Sequence, residues 1–309
     1  MTTILEPQEL FSQKIYWLNK LSGELPETNL IQDYPRPFQY TGKNRSHYFE
    51  LPDYLSQGII KLAKGSDFLL YLMLLSAFKI LLQRYIRTND LIVGIPVYKK
   101  INGVNLDYLN DHKLIPLRTQ LHNEMTFKSF LIQVKDNLIQ AYSHQDYCFD
   151  ELIGLLNLPQ AENRCSLFDI VILLENIHNK ADILQLNNDI TVSFIAENEK
   201  ICGSIDYNEA IFNSENIKLI TNYYKNIIES IVTNIVTNVD IQISDIVVLN
   251  DFDKQKIIRE FNYNIKEYPV AQTINQLFEQ QVYKTPNNIA VVHGETKLTY
   301  QELNEKANQ

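Results

Sequence analysis

The sequence runs to 309 residues, 45% hydrophobic and 21% charged, the balance of a globular chain with a buried core. Asp and Glu number 37 against 28 Lys and Arg, and a formal charge of −9 argues against a general nucleic-acid binder, whose affinity comes mainly from neutralising phosphates. Cys148, Cys165 and Cys202 form no Cys-x-x-Cys pair and the six histidines are scattered, so neither a metal site nor a disulfide is expected, and the thiols read as reduced and partly buried.

Met1 to Leu10 has no basic segment followed by an apolar run, so no signal peptide is expected. Leu10, Phe11, Ile15, Leu18 and Leu21 recur at helical spacing and predict a helix over 8–22. Pro26, Pro35, Pro37 and Gly42 then mark an extended loop. A strand is expected from His47 to Leu51, stopped by Pro52, with Asp53 capping a helix to about Lys64. Ser66 or Asp67 caps a long apolar helix to about Ile86. Its run from Phe68 to Leu82 is shorter than the ~20 residues that span a bilayer. It also contains Ser76 and Lys79, so it reads as a core helix and no membrane is expected.

Leu91 to Val97 is a β-branched run suited to a strand covered on both faces. A polar loop over 99–112, a strand over 113–121, an amphipathic helix over 126–143 and a short helix over 150–156 follow. Strands are expected at 168–174, 190–196 and 201–208, then a helix over 214–232, an extended IVVL segment and a helix over 252–261. Residues 262–272 read as a linker with one proline. A helix, the strand IAVVHG and a last helix start complete the chain. Strands interleaved with long helices predict an α/β sandwich, with a short incomplete α/β segment at the C-terminus.

Candidate catalytic groups are few. His144 and Asp146 resemble a base and its orienting acid, but their spacing does not set them face to face, and the favoured reading is a helix end that fixes a loop. His112 beside Lys113 would lose basicity if the two were close, yet two exposed residues at the loop end are the favoured reading. Asp33 and Arg36, between prolines, are read as a structural pair, and Tyr223 and Tyr224 as packing residues.

Several segments, in order, resemble condensation domains of nonribosomal peptide synthetases. YWLNKLSGELPE and DYPRP look like the crossover between the two lobes of such a domain, placed here at 1–45. LLSAFKILLQRYIRTNDLIVGIPV resembles the helix and strand that open the second lobe. IPLRTQL, with Arg118, resembles the end of a motif in which Phe-Val-Asn-Thr normally stands where this chain has Asp111-His112-Lys113-Leu114. His144-Gln145-Asp146-Tyr147-Cys148-Phe149-Asp150 resembles His-Gln-Asp-x-Pro-Phe-Glu. Ser166-Leu167-Phe168-Asp169 followed by VILLEN resembles Pro-Leu-Phe-x-Val, and Ile205-Asp206-Tyr207-Asn208 with Ile211-Phe212 the closing Tyr-Asn-x-x-Leu-Phe strand. Beyond the linker, Leu298-Thr299-Tyr300-x-Glu302-Leu303 is similar to an early signature of adenylation (AMP-binding) domains.

The resemblance implies a chloramphenicol-acetyltransferase-like fold of two lobes with a tunnel between them. Carrier proteins deliver thioesters on phosphopantetheine to the tunnel, and no cofactor is bound directly. The active motif, His-His-x-x-x-Asp-Gly, belongs to the first lobe. No His-His pair occurs in this sequence. The expectation is therefore a single C-terminal lobe, residues 1–261, followed by the start of an adenylation domain at 273–309 that lacks its phosphate loop. No catalytic residue is assigned. Lys113, Arg118, His144, Gln145, Asp146, Ser166 and Phe168 are expected to line or support the tunnel. The implied partners are the missing condensation lobe, the rest of an adenylation domain and a peptidyl carrier protein, in the cytoplasm. A lobe that merely seats an adenylation domain is the alternative. An exposed apolar patch is expected where the first lobe would pack.

Overall fold

The computed structural model describes residues 7–39, 42–98, 100–101, 104–105, 114–158, 163–183, 187–237, 240–260 and 272–309. They fall into two compact units, Met1–Phe252 and Asp253–Gln309.

In the first unit α1 (Pro7–Lys20) opens on a proline, tolerated where the N–H has no helical partner, and buries Trp17. β1 (Asn44–Glu50) leads into α2 (Asp53–Leu62) and α3 (Asp67–Ile86). Asp53 is the first helical residue and not the cap, a position that Pro52 holds without a side-chain bond; its charge instead favours the helix N-terminus. The Ser66 Oγ accepts from the Leu69 N–H at 3.3 Å, and Arg87 ends α3 in the left-handed region at φ 55°. α3 is long and apolar enough to cross a membrane by composition, but 78% of its most apolar window is buried within the fold. Its apolarity is spent on the core.

β2 (Asp90–Pro96), β3 (Lys100–Ile101), β4 (Val104–Asn105) and β5 (Leu114–Gln120) follow. β3 and β4 form a small hairpin inside the segment expected to be a loop. α4 (Phe127–Ser143), α5 (Phe149–Leu155), β6 (Ile170–Leu174), β7 (Ile190–Glu197), β8 (Lys200–Asn208), α6 (Ser214–Thr237) and α7 (Asp251–Glu260) complete the order. α6 outruns its expected end because Ile235 continues the apolar stripe of Ile217, Ile220, Tyr224, Ile227, Ile228 and Ile231. The IVVL segment forms no strand; Ser230 Oγ accepts from Val247 N and Asn226 donates to Val248 O.

Six strands make one sheet, β1-β8-β7-β6-β2-β5. β6 pairs parallel with both β7 and β2, and the remaining pairs are antiparallel. The central β6 is buried along its whole length, as expected of a parallel strand covered on both faces. Helices α2, α3, α4 and α6 pack together against one face. There Phe49, Phe194, Phe78 and Tyr224 form an aromatic cluster with ring centroids 5.4–6.5 Å apart. Two close approaches require glycine: a Cβ at Gly94 would overlap the Phe168 ring, and one at Gly203 the Phe49 ring.

Asp33 and Arg36 do not pair with each other. The Asp33 carboxylate accepts from Asn213 N at 2.7 Å and from the Asn216 side chain, while Arg36 binds Asp189. Residues 21–39 thereby tie to the ends of several elements, Thr28 Oγ1 accepting from Ile92 N at 2.8 Å. None of the three cysteines forms a disulfide; Cys148 and Cys165 are half-buried and Cys202 is exposed.

The second unit begins inside α7, whose residues from Asp253 on belong to it, and continues with α8 (Ile274–Lys284), β9 (Ile289–His293), β10 (Thr296–Thr299) and α9 (Tyr300–Ala307). β9 and β10 form a hairpin turning at Gly294, φ 61°, and β10 was not expected from the sequence. Thr273 with Gln276, and Thr299 with Glu302, build reciprocal capping boxes that start the two helices.

Candidate functional site

The motif residues sit at element ends. Arg118 on β5 holds Asp90 of β2 at 2.6–3.1 Å and donates to Ser22 O and Glu24 O at 2.7 and 2.9 Å. It therefore fastens the segment after α1 to the sheet. His144 caps the C-terminus of α4. Its Nδ1 lies 2.8 Å from Gln140 O, which places a proton on Nδ1, and its ring stacks on Tyr16 at 4.0 Å. Trp17 Nε1 donates to the His144 carbonyl at 2.8 Å. The buried Gln145 clamps the Tyr98 backbone, accepting from its N–H at 2.8 Å and donating to its carbonyl at 3.2 Å. That bond pair fixes the exit of β2. Asp146 and Ser166 are half-buried. Phe168 lies over Gly94 with its ring 5.5 Å from Phe149. Lys113 and His112 lie outside the described residues. The structure thus gathers Gln145 and His144 around one helix end, brings Phe168 against Phe149 of the same motif, and leaves Arg118 on β5.

The second face of the sheet carries a polar cleft that the sequence reading did not single out. Strand alternation sends Ser193, Ser204, Asp206 and Ser46 away from the helix-covered face, opposite in parity to Phe194 and Phe49. The Lys180 side chain, from a 3-10 turn at Lys180–Asp182, reaches over them. Its Nζ lies 2.9 Å from Ser193 Oγ, 2.8 Å from Ser204 Oγ and 2.9 Å from Asp206 Oδ2. The signal was present as alternation: Thr191 and Ser193 on one strand, Ser204 and Asp206 on its neighbour. No histidine among the described residues lines this cleft.

Beside it runs a buried ionic row. Arg36 grips Asp189, whose side chain is fully enclosed, and Arg164 holds Asp169 at 2.5 Å. Burial first, and then the neighbouring Asp189 charge, raise the Asp169 carboxyl to about 6 against the two arginines. Two further buried groups are perturbed. Burial lowers Lys79 to about 7, its Nζ donating to Leu117 O and Thr119 Oγ1, both at 3.0 Å. Burial lowers His178 to about 3; its Nδ1 accepts from Leu174 N, so Nε2 carries the proton toward the Tyr142 hydroxyl at 2.9 Å. Among the described residues no group of three metal-ligating side chains occurs.

This mixed α/β arrangement is that of condensation domains. The condensation-domain family profile matches residues 2–258, and the chain belongs to that family. It is 32% identical to tyrocidine synthase 3 of Brevibacillus parabrevis over 98% of this chain, and 32% identical to gramicidin S synthase 2 of Aneurinibacillus migulanus over 99%. The chain spans only 5% and 7% of the length of those relatives. A solved four-domain nonribosomal peptide synthetase bound to AMP and glycine superposes with a TM-score of 0.73 at 19% identity, covering 97% of this chain and 24% of that one. The X-domain from teicoplanin biosynthesis gives 0.62 at 20% identity, covering 78% of this chain and 57% of that one. At those identities the likeness is one of fold.

Proposed function

We propose that this chain supplies one wall of the reaction channel in the condensation step of a cytoplasmic nonribosomal peptide synthetase, and that it forms no amide bond by itself. The observation that carries this reading is the asymmetry of the sheet. One face is sealed by helices; on the other, the strands toward the β1 edge carry a polar cleft that no imidazole among the described residues lines. Aminolysis of a thioester draws on a group that orders the amine and handles its proton within hydrogen-bond reach. The two thioesters must also be held together, which takes a second wall.

In this reading residues 1–261 are a single chloramphenicol-acetyltransferase-like lobe, with 1–45 as the crossover. Residues 262–272 are a linker and 273–309 the start of an adenylation domain. That a C-terminal piece is compact by itself supports a separate segment there, with the cut at 252/253, ahead of most of α7, and not at 261. So does the helix-starting role of Thr299 and Glu302 within the signature that also includes Leu298, Tyr300 and Leu303. Partners are a lobe bearing His-His-x-x-x-Asp-Gly, an adenylation domain and a carrier protein whose phosphopantetheine holds the substrates.

A second reading is favoured by the motif residues themselves. Arg118 and Gln145 spend their polar atoms on backbone groups and Asp90, and His144 turns its Nδ1 to the Gln140 carbonyl and its ring face to Tyr16. That suits a lobe kept as a platform for an adenylation domain.

The test is amide formation between donor and acceptor thioesters loaded on carrier proteins. The purified chain alone is expected to give none. Adding a lobe with His-His-x-x-x-Asp-Gly restores it under the first reading and not under the second. Turnover by the chain alone above the uncatalysed rate overturns both.

A further inference from the structure

The cleft on the second face has a volume of about 280 Å³ and is lined chiefly by Ser46, Tyr48, Lys180, Asn188, Thr191 and Asp206. Its charges are already matched. An ammonium has three N–H donors, and those of Lys180 go to Ser193, Ser204 and Asp206. Asp206 uses its second oxygen to accept from Ser46 Oγ at 2.5 Å. Asp189 at the cleft edge is enclosed and held by Arg36. Glu175 approaches Lys180 at 4.0 Å but does not line the cleft.

A ligand with a net charge would have to break one of these pairs or lose water without gaining a counterion. Either is expensive in a partly enclosed site. A neutral ligand meets a fixed array of hydroxyls and a carboxamide. Asn188 donates to Thr191 Oγ1 at 2.7 Å and to Ile190 O at 2.8 Å, which holds that part of the wall in place. Tyr48 stands 75% exposed on the edge strand beside it, offering an aromatic flank with a polar tip.

We infer that this cleft binds a neutral ligand segment carrying amide or hydroxyl groups and rejects charged ones, and that Lys180 and Asp206 are the positioning residues that keep the site neutral. The inference concerns binding alone and stands apart from the acyl-transfer reading.

The test is a nitrogen-15 chemical-shift titration of the full chain with four small probes. They are N-acetylserinamide (neutral amide), erythritol (neutral polyol), N-acetylserine (anion) and serinamide (cation). At least one neutral probe is expected to move the amide signals of Ser46, Tyr48 and Thr191 saturably, with affinity about tenfold above either charged probe. Which neutral probe binds distinguishes an amide-bearing from a polyol-like ligand. Lys180→Met leaves Asp206 uncompensated, and preference should move to serinamide. Asp206→Asn leaves Lys180 uncompensated and should move it to N-acetylserine, which keeps the idea testable should the first variant fail to fold. Charged probes binding as tightly as neutral ones, or no probe disturbing these three amides, overturns the inference. Neither outcome touches the amide-formation assay, which reads a different event with a partner lobe present.

Discussion

Tyr48 and Phe49 are adjacent aromatic residues on one edge strand, yet they belong to different worlds. Phe49 points toward the helices, where its ring meets Phe194 and Tyr224 edge-on and Lys225 lies 5.7 Å above it. Tyr48 points to the opposite face and is three-quarters exposed beside Ser46 and Asp206. The same contrast repeats on β8 and β7 and ends at β6, whose Val171 and Leu173 are buried on the second face as well. The row through Gly203, Phe194 and Leu174 is apolar, and the row one residue away contains Ser204, Ser193 and Leu173. Toward the β1 edge one face is packed against helices and the other is open to solvent.

The largest effect should come from the covered face. Phe194→Ala removes a ring that is fully buried between the sheet and α6, and truncations of this kind cost about 3–5 kcal/mol through lost transfer energy and a residual cavity. Urea unfolding followed by circular dichroism measures it. A loss well under 1 kcal/mol would mean that the cluster is not a core.

The covered face also holds a fully buried lysine. Lys79 is fully buried in α3 and its pKa is lowered to about 7, chiefly by burial. Its unfolded value is about 10.4, so between those limits the unfolded chain binds more protons and stability rises with pH. From pH 7 to pH 9 the gain should be about 2–3 kcal/mol, two pH units at 1.4 kcal/mol each at most. Lys79→Met should abolish that slope. Unfolding curves at the two pH values, for both proteins, decide the matter. A slope of the same size in the variant would assign it to another group.

How much of this contrast was legible in the sequence depends on what each feature rests on. α3 announced itself through the run from Phe68 to Leu82 and the serine before it, both local signals. The strands of the core were visible as β-branched runs for the same reason. The pairings of Arg36 with Asp189 and of Lys180 with Asp206 were not legible, because each joins residues far apart in the chain. Asp33 stood as the obvious partner for Arg36 by proximity alone, and tertiary placement chose otherwise. Gln145 was picked out through a family motif, but its clamp on Tyr98 required knowing that a helix end meets the exit of β2. β10 escaped notice because four residues ending in a helix cap carry little strand pattern.

The smallest effect should come from Tyr48→Ala. The ring makes no aromatic partner comparable with that of Phe49, and its solvent exposure means that little apolar surface returns to water on truncation. Surface substitutions of this kind change stability by about 0.5 kcal/mol or less. β1 is an edge strand, so a modest loss of β propensity is the main term expected. Measured beside Phe194→Ala in one unfolding series, the ratio of the two losses gauges how differently the two faces are built. A Tyr48→Ala loss above about 2 kcal/mol would mean that the exposed face is packed against something in solution, and the division between a structural face and a free one would fail.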